Sequence, residues 1–180
     1  ILQLSNFIKL EELETVCWVL DICNAKVNDS CGFHVHMDAA GFNLDTWKNL
    51  TLTYKHLEHL IDAFMPRTRR NNTYCKTLSG VSDERIKSVR TIDGLREVFN
   101  NDRYHKVNFE AYSRHRTVEF RQHSGTTNFT KMENWIRFLN GLITFAKRSS
   151  LPSRMTLEEL PFLDGKQKLF FKLRTKKLAV

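Results

Sequence analysis

No stretch of this 180-residue chain approaches the ~20 consecutive apolar residues that a membrane-crossing helix needs. No Cys-x-x-Cys pair occurs among Cys17, Cys23, Cys31 and Cys75, and their spacings fit no zinc-ribbon pattern. Nothing marks the chain for secretion. The four cysteines therefore read as reduced thiols, mostly core fillers, in a cytoplasmic protein. Cys31 precedes an informative segment, but that position alone does not make it a nucleophile. There is no internal repeat and no low-complexity tract. The chain starts at Ile1 without an initiator Met, a basic leader or a cleavage site, as expected of a fragment or processed product.

What is present describes a globular domain. The chain is 41% hydrophobic and 27% charged, and 180 residues are enough for one domain with a real core. The net charge of +8 favours anionic partners. Nucleic acid, nucleotide phosphates and an acidic substrate all satisfy it equally. Part of the excess sits in Lys166, Lys168, Lys172, Arg174, Lys176 and Lys177. That tail reads as a solvated terminus in preference to a nucleic-acid arm.

The segment Gly32-Phe33-His34-Val35-His36-Met37-Asp38 alternates as a β-strand. Phe33, Val35 and Met37 share one face, and His34, His36 and Asp38 share the other. Thr117-Val118-Glu119-Phe120-Arg121-Gln122-His123 repeats the design. Its expected polar face is Thr117, Glu119, Arg121 and His123, with Val118 and Phe120 opposite. A third alternation, Tyr104 to Tyr112, places Val107, Phe109 and Ala111 against Lys106, Asn108, Glu110 and Tyr112. With a turn at Arg114-His115 it predicts an antiparallel hairpin with both polar faces on one side.

Helices are expected around these strands. The first runs from about Phe7 to Lys26, with Ser5 as N-cap and a stripe of Leu10, Leu13, Val16, Cys17 and Leu20. Asn28-Asp29-Ser30 reads as a turn. The second helix runs from about Leu44 to Phe64, capped by Asn43 and ended by Pro66. His56 and His59 ride on it as bystanders. The run Arg67-Thr68-Arg69-Arg70-Asn71-Asn72-Thr73-Tyr74-Cys75 is a basic loop. It is either a solvated turn or a phosphate clamp, since guanidinium matches phosphate oxygens bidentately. Ser79 to Lys87 reads as a loop, Thr91 to Phe99 as a short helix and Thr130 to Lys147 as a longer one. Pro152 opens an irregular region. The whole predicts an α+β fold: a largely antiparallel sheet with helices on one face and a site on the other.

The polar faces carry the chemistry. His34, His36 and Glu119 could form a two-histidine, one-carboxylate metal site suited to zinc, manganese or iron, or to magnesium beside phosphates. Arg121 next to Glu119 indicates that phosphate or carboxylate is the charge handled. The competing reading is an internal Glu119–Arg121 salt bridge. It loses force because both strands divide their faces in the same way.

The runs Cys31–Asp38, Arg67–Cys75 and Thr117–Thr126 together resemble the amidoligase family, whose members are similar to glutamine synthetase and glutamate–cysteine ligase. The match in order and spacing covers about Ile1 to Lys147. The resemblance implies a glutamine synthetase-like catalytic domain over residues 1–150, followed by an irregular basic extension over 151–180. It also implies ATP-dependent ligation of a carboxylate to an amine through an acyl phosphate, with Mg2+ or Mn2+. By that match His34 and Glu119 are metal ligands, and His36 and Asp38 lie toward nucleotide. Arg121 holds the phosphoryl group or the substrate carboxylate, and Arg67, Arg69 or Arg70 neutralises phosphates.

One departure stands out. Relatives begin with a Glu-x-Glu strand that supplies further metal ligands, and none precedes the first helix here. The expectation is a fragment inactive on its own, completed by an upstream segment or a partner chain. Two other readings remain open. A zinc hydrolase would bind zinc tightly without nucleotide. A nucleic-acid-binding or structural module would bind in a salt-sensitive way, independently of His34 and Glu119.

Overall fold

The structure, a computed structural model, describes residues 9–179. The N-cap expected at Ser5 lies outside them. Helix α1 spans Leu10–Ile22 and buries only Leu13 and Cys17, so the predicted stripe is narrower than its spacing implies. Helix α2, Leu44–Ala63, begins where Asn43 Oδ1 accepts the Thr46 N–H at 2.8 Å. Trp47, Leu50, Tyr54, Leu57 and Ile61 form one buried stripe at spacings of three and four. Each such burial contributes roughly 1.5–3 kcal/mol. Pro66 then closes the helix into a short 3-10 turn, Arg67–Arg69.

Strands β1 (Gly32–Asp38), β2 (Val107–Asn108) and β3 (Thr117–Ser124) make an antiparallel sheet in the order β1-β3-β2. Val35, Val107, Val118 and Phe120 face the core with α2 and with α6, Phe129–Ala146. The opposite face carries the histidines. The α+β architecture and its division of faces thus follow the sequence pattern.

Three segments differ from expectation. The loop predicted over Ser79–Lys87 contains helix α3, Asp83–Ser88, capped by the Ser82 hydroxyl accepting from Arg85 N–H. Helix α4, Ile92–Val98, follows, with Thr91 as its cap. The strand predicted over Tyr104–Tyr112 is only two residues long. Asn108 Oδ1 accepts the Glu110 N–H at 2.9 Å, and this local turn outcompetes the ladder. The chain continues as helix α5, Ala111–His115, which ends at Arg116 in the left-handed region (φ 57°) before entering β3. Lys106, Glu110 and Tyr112 accordingly leave the site face, and only Asn108 stays on it. The third difference is the basic tail. Helix α7, Gly165–Leu178, starts at a reciprocal Asp164–Gln167 cap, and Phe171 is buried against Phe64 and Phe138. Leu151, Leu160, Leu163 and Phe171 join the same hydrophobic cluster as α2 and α6.

Among the described residues no helix is long and apolar enough to cross a membrane. The cysteines are free thiols. Cys17 and Cys75 fill the core as expected, whereas Cys23 is exposed and Cys31 half-buried.

Candidate functional site

Glu119 is the hub of the polar face. It sits on the central strand β3, paired across the ladder with His36 of β1 on one side and Asn108 of β2 on the other. Its Oε1 lies 3.0 Å from His34 Nδ1 and 2.8 Å from Arg121 Nη1. Its Oε2 accepts a hydrogen bond from the Asn108 amide. Burial pushes the Glu119 carboxyl up, but His34, Asn108 and the Arg121 charge outweigh it and hold the group down at about 2. Glu119 is therefore a carboxylate throughout the physiological range.

His36 stands 3.8 Å from Glu119 Oε1 through Nε2. Its Nδ1 is hydrogen-bonded to the Thr117 hydroxyl at 2.9 Å, and its ring meets His115 edge-on. Burial lowers its pKa, and the neighbouring His115 and His34 reinforce this against the pull of Glu119. A neutral imidazole is the form that donates a lone pair to a metal.

A β-bulge shapes the rest. Phe33 pairs with His123 and Val35 with Phe120, so β3 places Arg121 and Gln122 opposite the single residue His34. The extra residue flips the alternation. Arg121 still points to the site, but His123 does not share its face, contrary to the strict period-two expectation. His123 is buried against Phe33 and Trp135, with Nδ1 2.7 Å from the Ser124 carbonyl. Burial drives its pKa down to about 3.

The basic loop is divided between structure and surface. Arg69 is buried, and its guanidinium donates to the carbonyls of Arg121 and Gln122, the two residues of the bulge. It lies beside His34 and Gly32, close to the site yet committed to backbone. Arg70 Nε donates to the Met65 carbonyl at 3.1 Å. Arg67 is exposed. Asp38 is exposed at the end of β1, where its Oδ1 accepts the Ala40 N–H. The structure thus gathers His34, His36, Glu119 and Arg121, sets Arg69 behind them, and leaves Arg67, Arg70 and Asp38 at the margin.

A family model described as "Putative amidoligase enzyme" matches residues 1–143. The chain belongs to the amidoligase family. No curated protein and no solved structure matches it. Family membership supports a ligase-type function.

Within this amidoligase some relevant residues escaped the sequence reading. Asn108 was placed on the correct face, but its contact with Glu119 was not foreseen. Behind β3, Gln122 hydrogen-bonds Tyr54 (Oη to Oε1, 2.7 Å) and Asp62, and the fully buried Lys106 reaches Asp62 at 2.7 Å and Glu58 at 3.7 Å. Glu58 in turn accepts from Thr77, the Leu78 N–H and Ser79. This network fixes the strand from the rear. Its only sequence signal is charge on the inner stripe of α2. His56 and His59 are indeed bystanders: His56 bridges Asp83 and the Leu151 carbonyl, and His59 contacts the Met155 carbonyl.

Among the described residues no group of three or more His, Cys, Asp or Glu side chains is arranged to hold a metal. The donor pair His34–Glu119, an imidazole and a carboxylate, still suits a divalent cation in its chemistry.

Proposed function

We propose that this face performs ATP-dependent ligation of a carboxylate to an amine, with Mg2+ or Mn2+. The supporting observation is the Glu119 carboxylate, held ionised between an imidazole and a guanidinium on the open face of an amidoligase sheet. His34 and Glu119 are the metal donors. His36 lines the site beside them, and Asp38 marks its edge on the nucleotide side. Bound ATP supplies the phosphoryl group that activates the acid as an acyl phosphate. The chain's own task is to place charge. Arg121 meets the phosphoryl oxygens or the substrate carboxylate, and Arg67 is the guanidinium of the basic loop best exposed to reach phosphates. Arg69 contributes by fixing the bulge that aims Arg121.

Two protein donors do not hold such cations tightly. Among the described residues β1 pairs only with β3, which leaves its outer edge open. A further strand carrying carboxylates, from upstream or from a partner chain, completes the ligand set there. The acid and amine substrates then approach over the same face. On this reading the 180-residue chain alone turns over no ATP.

The decisive experiment titrates ATP with and without Mg2+ or Mn2+ on wild type and Glu119→Gln. The metal-dependent part of nucleotide affinity disappears in the variant. Unchanged affinity would sink the assignment, and tight stoichiometric zinc without nucleotide would replace it with metal-dependent hydrolysis.

A further inference from the structure

The basic loop contributes something other than arginine to the site. Tyr74 is 60% exposed, unusual for a large ring, yet its backbone is pinned. Its N–H donates to Asn72 Oδ1 at 2.7 Å, and its carbonyl accepts from Arg121 Nε at 3.4 Å. Its ring meets Tyr104 edge-on with centroids 5.5 Å apart. Two guanidiniums lie against that same Tyr104 ring, Arg103 at 4.9 Å and Arg121 at 5.5 Å from its centroid. Arg103 Nη2 also donates to the Tyr104 hydroxyl at 2.9 Å. Arg121 uses Nη1 on Glu119 and Nε on Tyr74, so its Nη2 has no acceptor among the described residues. The remaining N–H groups of Arg103 have none either.

The cluster sets an exposed tyrosine ring beside guanidinium N–H groups that have no acceptor among the described residues. Aromatic faces select flat rings, and forked N–H groups select carboxylate or phosphate oxygens.

We infer that Tyr74, Tyr104, Arg103 and Arg121 form a subsite for a planar ring bearing an anionic group, on the β2 side of Glu119. The chemistry is shared by two sources, a nucleotide and an aromatic acid. The subsite uses Arg121, as the ligase reading does, but needs neither metal nor ATP turnover.

The test uses the whole chain in EDTA, with adenosine monophosphate, terephthalate and trans-cyclohexane-1,4-dicarboxylate titrated calorimetrically. The two dicarboxylates carry the same charge, and only one is flat. Terephthalate binds at least fivefold tighter than the saturated acid. Tyr74→Leu erases that ratio, while Arg103→Gln weakens both acids. Circular dichroism confirms that both exposed-site variants stay folded. If the monophosphate binds more tightly than terephthalate and displaces it, the subsite is a nucleotide's; if terephthalate binds more tightly, it belongs to an aromatic acid substrate. Equal affinity for flat and saturated acids, or a ratio that survives Tyr74→Leu, overturns the proposal. Because metal is absent, failure here leaves the Glu119 assignment standing, and failure of that assignment leaves this result standing.

Discussion

A Cβ on Gly32 would stand 2.6 Å from Nε2 of His34, so the imidazole occupies the space that residue 32 leaves empty. The ring folds back along its own strand and thereby presents Nδ1 to Glu119. The obstructed group is the far end of a side chain, so a methyl at position 32 displaces the ring and spares the backbone. Gly32→Ala is expected to keep the fold and lose the His34–Glu119 hydrogen bond. The check is an NMR titration of the Glu119 carboxyl, whose pKa climbs from about 2 toward the ordinary glutamate range. A titration unchanged from wild type refutes the coupling.

Asn108 is another support of Glu119, beside His34 and Arg121, and Asn108→Asp replaces a donor with a second carboxylate. Two buried carboxylates side by side cannot both ionise freely, so the pair takes up a proton at markedly higher pH than Glu119 alone. The unmade hydrogen bond and the repulsion cost about 2 kcal/mol at neutral pH. Urea unfolding at pH 7 and at pH 4 reads this directly. The deficit relative to wild type shrinks at the lower pH, and a constant deficit contradicts it.

Arg69 distinguishes a phosphate clamp from a structural pin. Its donors lie on the Arg121 and Gln122 carbonyls, charge-assisted bonds worth roughly 1.5–3 kcal/mol each. Arg69→Ala is expected to lower stability by about 3 kcal/mol, and Arg69→Lys to recover little of it, because a point charge cannot fork between two carbonyls. Arg67→Ala, on the exposed side of the same turn, leaves the unfolding midpoint unmoved. Equal stability of the two alanine variants rules out the pin.

His123 gives the fold an acid sensitivity. Its native pKa of about 3 lies below the unfolded value of about 6.5. Between these values the unfolded chain carries a proton that the native chain does not, so stability is full above pH 6.5 and falls as the pH drops. The slope is about 1.4 kcal/mol per pH unit, or about 2 kcal/mol lost by pH 5. His123→Phe flattens this slope between pH 6.5 and 5, as chemical denaturation at several pH values would show. A wild-type slope in the variant excludes His123 as the cause.

Lys106 is fully buried beside Asp62 and Glu58. Lys106→Met strands those carboxylates and is expected to cost about 3–5 kcal/mol. The double variant Lys106→Met, Asp62→Leu costs less than Lys106→Met alone. A double-mutant cycle measures the difference, and strict additivity would deny the interaction.

The site was legible where a period-two pattern met paired strands. His34, His36, Glu119 and Arg121 were placed together from alternation alone. His123 was misplaced because a bulge shifts the register without leaving a mark in hydrophobicity. The strand around Asn108 was overextended because an asparagine side chain can imitate a ladder acceptor. Helix α7 was read as a loose tail because its charged residues outnumber the single buried ring of Phe171 that anchors it. The roles of Arg69 and Arg70 depend on which carbonyls lie within reach, information held by the tertiary structure and absent from the local sequence.

The ring of Phe171 lies 4.4 Å from Phe64 and 5.5 Å from Phe138 by centroid, yet it falls past residue 143, where the family match ends. The core therefore extends beyond the residues that the family match covers. On the ribosome the sheet emerges before α7, so Phe64 and Phe138 stay uncovered until that helix is made. During that interval apolar surface that the folded domain buries stands open, and the nascent protein then most needs shelter from other chains.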